Sequence, residues 1–532
     1  MAINESRLKR ELKARFLIRP PVDEDPRLLR SSMKGFVLVV LALTAASAGF
    51  SSTIYFPGIP DITSDLQAPP IATTLTAALF ILSMGIAPVI WASISDYYRL
   101  RRVLFILSML IFSLASLGCA LMTNIWGLVV LRCVQAIGAS CGQSVGSGVI
   151  ADLYEIERRG AAFGKYFFGV FIGPLTGPII GGFLIMSPLS WRATFWFCVA
   201  FGLTVITMVM AAYPETYRED AKFDLAITNE KEGAQQQKQQ QRHNGNMDPD
   251  DGASTATTGS NTVSVHAPDN HVKDDKSKGA TTIDMKASPL AKKEKRKPIN
   301  PIRPFLMLRH PHVLLVAIIQ GVAFGCMFAV ETIIPDLFET NFGFSSWQTG
   351  LSYLGAGVGN LSGAIVTNLL SDRLLLRARA KRDGRHKIED RLTINLWPCG
   401  LILMPFGILL FGWGIGSGMT YWTGIVGFGI QNLGMNQVMA STSAYLVDAT
   451  PGYGASVTAA ATLVRMILAC AFTLAANPMV AAIGPGWTSV FLAGLTYASV
   501  IALLVLKVFG HRMRKAAGFE QPAERQQEQD AA

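Results

Sequence analysis

Twelve apolar segments, each roughly 18–25 residues long, divide the chain into two sets of six. They fall at 35–56, 72–94, 103–121, 125–149, 161–186, 193–213, 312–334, 348–370, 393–413, 420–446, 456–483 and 487–509. A helix of about 20 apolar residues crosses the hydrocarbon of a bilayer. Within lipid only helices and closed barrels satisfy their own backbone. The pattern therefore predicts an all-α membrane protein. Composition agrees: 50% of the 532 residues are hydrophobic, 16% are charged, and the mean hydropathy is +0.34. The first apolar run starts near Gly35, after 34 polar residues, which is no cleavable signal peptide.

Residues 218–305 are polar throughout, with a glutamine-rich tract at 235–241 and a basic run at 292–297. Such a stretch cannot bury a core and reads as a disordered linker. The expected layout is a tail at 1–34, a six-helix bundle at 35–217, the linker at 218–305, a second bundle at 306–509 and a tail at 510–532.

Lysine and arginine set the orientation. The first 34 residues carry nine of them, and the loop after the eighth span carries Arg373, Arg377, Arg379, Lys381, Arg382, Arg385, Lys387 and Arg391. The loops near 57–71, 122–124, 335–347, 414–419 and 484–486 carry none, and only Arg192 breaks the pattern. Both termini and the linker are thus expected in the cytoplasm; the plasma membrane is the expected location, with the vacuolar membrane left open. The net charge of +10 comes from these loops, so it speaks for a lipid bilayer and against nucleic acid as partner. The seven cysteines lie in or beside spans without zinc spacing and read as small buried residues, with no disulfide expected. No metal or cofactor is implied.

The fifth span holds Gly169, Gly173, Pro174, Gly177, Pro178, Gly181 and Gly182. Glycines every fourth residue share one face of a helix, and prolines interrupt its hydrogen-bond ladder. This helix can press closely on a neighbour and bend; a passive packing seam is the plainer reading. An internal repeat accompanies it. Span two ends in Ser95-Asp96 with Arg101 and Arg102 following, and span eight ends in Ser371-Asp372-Arg373. Spans four and ten end near Asp152 and Asp448. Matching features at matching spans point to two duplicated bundles around a central cargo site, although each aspartate alone would merely punctuate a helix end.

These residues resemble the major facilitator superfamily, and within it the fungal twelve-span drug:proton antiporters, a group that includes quinidine-resistance pumps and organic-acid exporters. The resemblance covers roughly 35–509. Asp96 with Arg101 and Arg102 is similar to the motif G-x-x-x-D-R-x-G-R-R, with Ala92 for its first glycine and Tyr97 and Arg99 for its usual Arg and Gly. Arg132, Gln135, Ala136 and Gly138 are similar to R-x-x-Q-G-x-G, and the Gly/Pro stretch matches the span-five antiporter motif closely. Trp191–Trp196, Pro214–Tyr217, Glu389–Leu392 and Gly412-Trp413 are also similar to the group. The resemblance implies two pseudo-symmetric six-helix bundles with spans one, four, seven and ten lining the cavity. It also implies a monomer working by alternating access on a small molecule and protons.

Charges within spans are costly and need a reason. Three lie deep: Arg132, Glu331 and Arg465. Gln135, Ala139 and Gln143 follow Arg132 on one helix face. Arg132 can hold an anion, pair with a carboxylate, or bond backbone carbonyls for packing. Glu331 is the only acid placed in a span, with Gln320 eleven residues earlier on nearly the same face. A carboxyl in a low-dielectric cavity can load and release a proton; an interfacial glutamate facing water is the alternative. Arg465 is a substrate counter-charge or a helix-pairing residue. Asn432 and Asn436, one turn apart, are substrate contacts or interhelical hydrogen-bonders. Tyr55 and Phe56 read as interfacial anchors or as an aromatic wall. All seven histidines lie in polar segments or at the cytoplasmic edge, which excludes a mid-membrane histidine relay.

The expected function is a proton-coupled exporter of small organic molecules, either drugs or toxic compounds or organic acids such as citrate- or itaconate-like carboxylates. Two deep arginines lean toward anions. Asp96, Arg101, Arg102, Asp152, Asp372, Arg373 and Asp448 form an expected cytoplasmic gate. The alternative class is a non-transporting receptor or scaffold. No P-loop or nucleophile constellation is present, so neither ATP-driven pumping nor enzymatic activity is expected.

Overall fold

The computed structural model describes residues 25–154, 156–217, 303–380, 388–392, 399–450 and 453–519. The linker expected at 218–305 falls, save for its last residues, outside these. So does the start of the ninth span.

Apolar runs of membrane length become helices because the ladder closes within each run. The first bundle comprises α1 (Ser31–Thr53), α2 (Pro70–Tyr98), α3 (Arg102–Leu121), α4, α5 (Ile156–Ile185) and α6 (Arg192–Ala212). Helix α4 is two pieces, Ile125–Ala139 and Cys141–Leu153, broken at Ser140. The second bundle comprises α7 (Pro311–Phe342), α8 (Leu354–Ala380), α9 (Met404–Gly416), α10 (Tyr421–Ala449) and a long rod, Gly454–Ala516. That rod turns sharply at Gly484, whose φ of 78° and ψ of 166° suit glycine alone. Its arms, 454–483 and 485–516, are α11 and α12. A short helix, Ser346–Ser352, precedes α8, and a π-turn, Cys399–Leu403, leads into α9. The described part of each of the twelve expected spans is thus largely helical.

The bundles repeat one packing plan. Helix α1 packs on α5, α2 on α4, α3 on α4 and α6; likewise α7 packs on α11, α8 on α10, α9 on α10 and α12. They meet through α2 against α11 and through α5 against α8 and the short helix before it. The two seams are equivalent under the same pseudo-symmetry.

Glycine sets how closely these rods approach. On α5, a Cβ at Gly173 would stand 2.6 Å from the Ala46 carbonyl oxygen and 3.0 Å from the Phe50 nitrogen of α1. Gly169, Gly177 and Gly181 press on Ala42, Thr53 and Ile54 of α1 in the same way, and Pro174 packs on Gly49. The next stripe round α5 faces the other bundle. Gly182 abuts Ser346 and Trp347, the Pro178 carbonyl meets Gly350, and Leu175 meets Gly357. The sequence pattern is therefore both a packing seam within one bundle and part of the contact between bundles.

Further contacts join the bundles at the end opposite the termini. Phe56 stacks on Tyr353 with centroids 6.4 Å apart, Phe183 stacks on Trp347 at 6.3 Å, and Asn477 Nδ2 reaches Thr74 Oγ1 at 3.5 Å. Arg192 breaks the charge pattern of that end because it is neutralised locally. Its Nη1 lies 2.6 Å from Asp65 Oδ2, which also accepts from Trp191 Nε1 at 3.0 Å. Those two bonds hold the Asp65 carboxyl below the usual carboxylate range.

Candidate functional site

Arg132 occupies the heart of the first bundle with no exposure. Its Nη1 donates to the Ser51 carbonyl of α1 at 2.6 Å and to Gln135 Oε1 at 2.7 Å. Gln135 Nε2 passes the network to Ser116 of α3 at 2.8 Å. The guanidinium carbon lies 4.1 Å from the ring centres of both Tyr55 and Phe80 and 5.8 Å from that of Phe195. Aromatic faces stabilise a desolvated guanidinium by about 2 kcal/mol or more. Nε and Nη2 have no hydrogen-bond partner among the described residues. Tyr55 and Phe56 are therefore interior residues, not interfacial anchors: the chain turns inward after Thr53, carrying Tyr55 onto Arg132 and Phe56 onto Tyr353. Gln143 lies beyond the break at Ser140, half-buried, and makes no side-chain hydrogen bond to this cluster.

Glu331 faces the first bundle from α7. It is 6% exposed, and its Oε2 has no partner among the described residues. Tyr353 donates from its hydroxyl to the Glu331 carbonyl at 2.7 Å. The carboxyl lies within electrostatic reach of both Tyr55 and Tyr353. Arg132 with Tyr55, and Glu331 with Tyr353, thus lie on the two sides of the junction, an always-charged group in one bundle and a titratable one in the other.

Arg465 on α11 is half-buried, with Nη2 3.3 Å from Thr462 Oγ1 and the guanidinium 5.1 Å from the Phe324 ring centre. Its Nε has no partner. Gln320 is tied to α10, donating to Thr442 at 3.1 Å and Ser443 at 3.0 Å. Asn432 accepts from Asn360 of α8 at 3.0 Å and donates to the Phe428 carbonyl at 2.8 Å. Asn436 packs beside Gly363 of α8. Of the pair Asn432 and Asn436, Asn432 makes an interhelical hydrogen bond to α8, and Gln437 also donates to the Gly363 carbonyl there. Gln431, buried beside them, has both side-chain polar atoms unpartnered among the described residues.

At the end carrying the termini, Arg101 Nε lies 3.3 Å from Asp152, and its Nη1 donates to Ser95 at 2.6 Å. Glu215 is the hub there. Its carboxylate accepts from the backbone nitrogens of Arg101 at 3.0 Å and Arg102 at 3.3 Å, capping the start of α3. Sequence reasoning noted Glu215 and Glu389 only as family features. In the second bundle Glu389 accepts from buried Arg514 at 2.8 Å and 3.2 Å. The donors differ: the loop's backbone N–H groups meet the carboxylate in one half, and the loop supplies the carboxylate to a buried guanidinium in the other. Asp448 is half-buried at the last turn of α10. The side chains of Asp96, Asp372 and Arg373 lie outside the described residues.

The family profile described as Major Facilitator Superfamily matches residues 41–473. The chain belongs to that superfamily. It is 27% identical to the MFS antiporter QDR3 of Candida albicans over 96% of this chain and 82% of that one. It is 25% identical to the efflux pump radE of Floropilus chiversii, over 91% and 81%. Among solved structures it superposes on a D-xylose–proton symporter with a TM-score of 0.58 and 13% identity, over 89% of this chain and 97% of that one. That likeness bears on the fold. This protein is a multi-pass membrane transporter and not an enzyme.

Proposed function

We propose that this transporter is a proton-coupled exporter that exchanges protons for a small organic anion by alternating access. The observation that carries this reading is Glu331, a buried carboxyl with an unpartnered oxygen at the junction of the bundles. No guanidinium neutralises it among the described residues, so proton binding changes its charge outright. A proton there alters the electrostatics around Tyr353 and the Phe56–Tyr353 stack that joins the bundles, and each state of the junction favours a different side. Arg465, half-buried beside Phe324 with Nε unpartnered, supplies the counter-charge for the anion. Arg132 holds Tyr55 in place. Arg101, Arg102 and Asp152, together with Asp96, Asp372, Arg373 and Asp448, work the gate at the end carrying the termini; the excess of lysine and arginine in its loops supports a cytoplasmic side. Relatives named as an antiporter and an efflux pump support the direction.

The test is uptake into inside-out membrane vesicles with an acid lumen. A citrate-like carboxylate is expected to accumulate only while the gradient persists, and Arg465→Ala to abolish its uptake. Accumulation of a quinidine-like cation instead, unaffected by Arg465→Ala, would reject the anion reading. Gradient-independent uptake of both would reject proton coupling.

A further inference from the structure

A groove of about 490 Å³ opens at the end carrying the termini, between the entry to α7 and the last turns of α12. Arg309, His310 and Arg512 line it on one side, and Phe509 and Met513 form an apolar wall. Among the described residues that line it none is acidic. Glu389, which reaches this part of α12, is already bound by buried Arg514. Arg309 and Arg512 are exposed, and the Arg512 guanidinium hovers 6.0 Å from the Phe509 ring centre. Helix α7 starts at Pro311 with no side-chain cap on its first turn. One residue on, His312 is fully buried with both ring nitrogens unpartnered.

Two cations over an apolar wall ask for a ligand that is anionic at one end and oily at the other. The surroundings name it. Phe305, Val508 and Phe509 are exposed, so the apolar wall runs on into the lipid-facing surface. The groove stands at the level where headgroups meet the helix ends.

We propose that this groove binds an anionic phospholipid. Arg309 and Arg512 clamp the phosphate headgroup, and the acyl chains lie along the Val508 and Phe509 face. Arginine suits this role because its fork engages two phosphate oxygens at once. Neither arginine belongs to the transport chemistry proposed above, so the inference stands apart from the cargo.

The test is native mass spectrometry of the full-length protein in detergent, titrated with dioleoylphosphatidic acid, dioleoylphosphatidylcholine or inorganic phosphate. The wild type is expected to bind the phosphatidic acid about tenfold more tightly than the phosphatidylcholine. The double variant Arg309→Gln/Arg512→Gln is expected to lose roughly twentyfold in that affinity, with lipid-free thermal unfolding unchanged because both side chains are exposed. Equal binding of the two lipids, or undiminished binding by the double variant, would overturn the proposal. So would displacement of the phosphatidic acid by equimolar inorganic phosphate, which would mark a site for the free ion.

Discussion

Arg132 draws compensation for its burial from aromatic rings and a backbone carbonyl, with no carboxylate beside it among the described residues. Lysine cannot replace it, because an ammonium offers no flat face to stack between Tyr55 and Phe80. Arg132→Lys is expected to lower the unfolding free energy by about 2 kcal/mol, measured by thermal unfolding in detergent; an unchanged midpoint would contradict the stacked geometry. The pair between Arg192 and Asp65 is half-exposed, so it contributes at most about 1 kcal/mol. The Asp65 carboxyl sits below its ordinary range when folded, so its contribution is present above the unfolded value of about 3.9 and is lost as pH falls through the lower folded value. The difference in melting temperature between wild type and Asp65→Asn should therefore hold at pH 6 and vanish in strong acid. Arg132 and Glu331 were legible in the sequence because a charge inside an apolar run stands out. Their companions were not. Tyr55 and Tyr353 come from distant segments, and only tertiary packing brings them to the buried charges.

Helix α5 carries two jobs on adjacent stripes, and neighbouring glycines separate them. Gly181 presses on Ile54 within its own bundle, whereas Gly182 abuts Ser346 and Trp347 of the other. Gly181→Leu is expected to cost about 1–3 kcal/mol by overpacking, read as a lower melting temperature. Gly182→Leu should leave the melting temperature nearer wild type and shift the bundles away from the arrangement joined at Phe56–Tyr353. Cysteines placed at the rim of that end would then react faster with a membrane-impermeant thiol reagent; equal rates would contradict the assignment of stripes. The four-residue glycine period disclosed a close-packed face. It could not say which helix fills that face, since every span offers an apolar partner. The break at Ser140, which parts Gln143 from the Arg132 cluster, likewise had no strong breaker to announce it.

Across the whole molecule, a carboxylate clasp ties the loop after the second helix of each bundle to the end of its sixth, through backbone N–H groups to Glu215 in one half and through the Arg514 guanidinium to Glu389 in the other. Arg514 is fully buried, so Glu389→Ala, which removes the carboxylate 2.8 Å from its guanidinium, is expected to cost about 3–5 kcal/mol, while adding Arg514→Leu should recover most of that loss. Thermal unfolding of the three variants checks this; additive losses would show that the pair is not coupled. The repeat itself was visible in Asp96, Asp152, Asp372 and Asp448. The clasp was not, because Glu215 and Glu389 sit in polar segments where a carboxylate draws no notice. Central to the account is that one carboxyl between the bundles converts a proton gradient into directed movement of cargo. Reconstituted Glu331→Gln measures this most directly, by gradient-driven accumulation set against counterflow exchange at equal pH. The account predicts that accumulation falls to the level without a gradient while exchange persists. Full gradient-driven accumulation by that variant would contradict it.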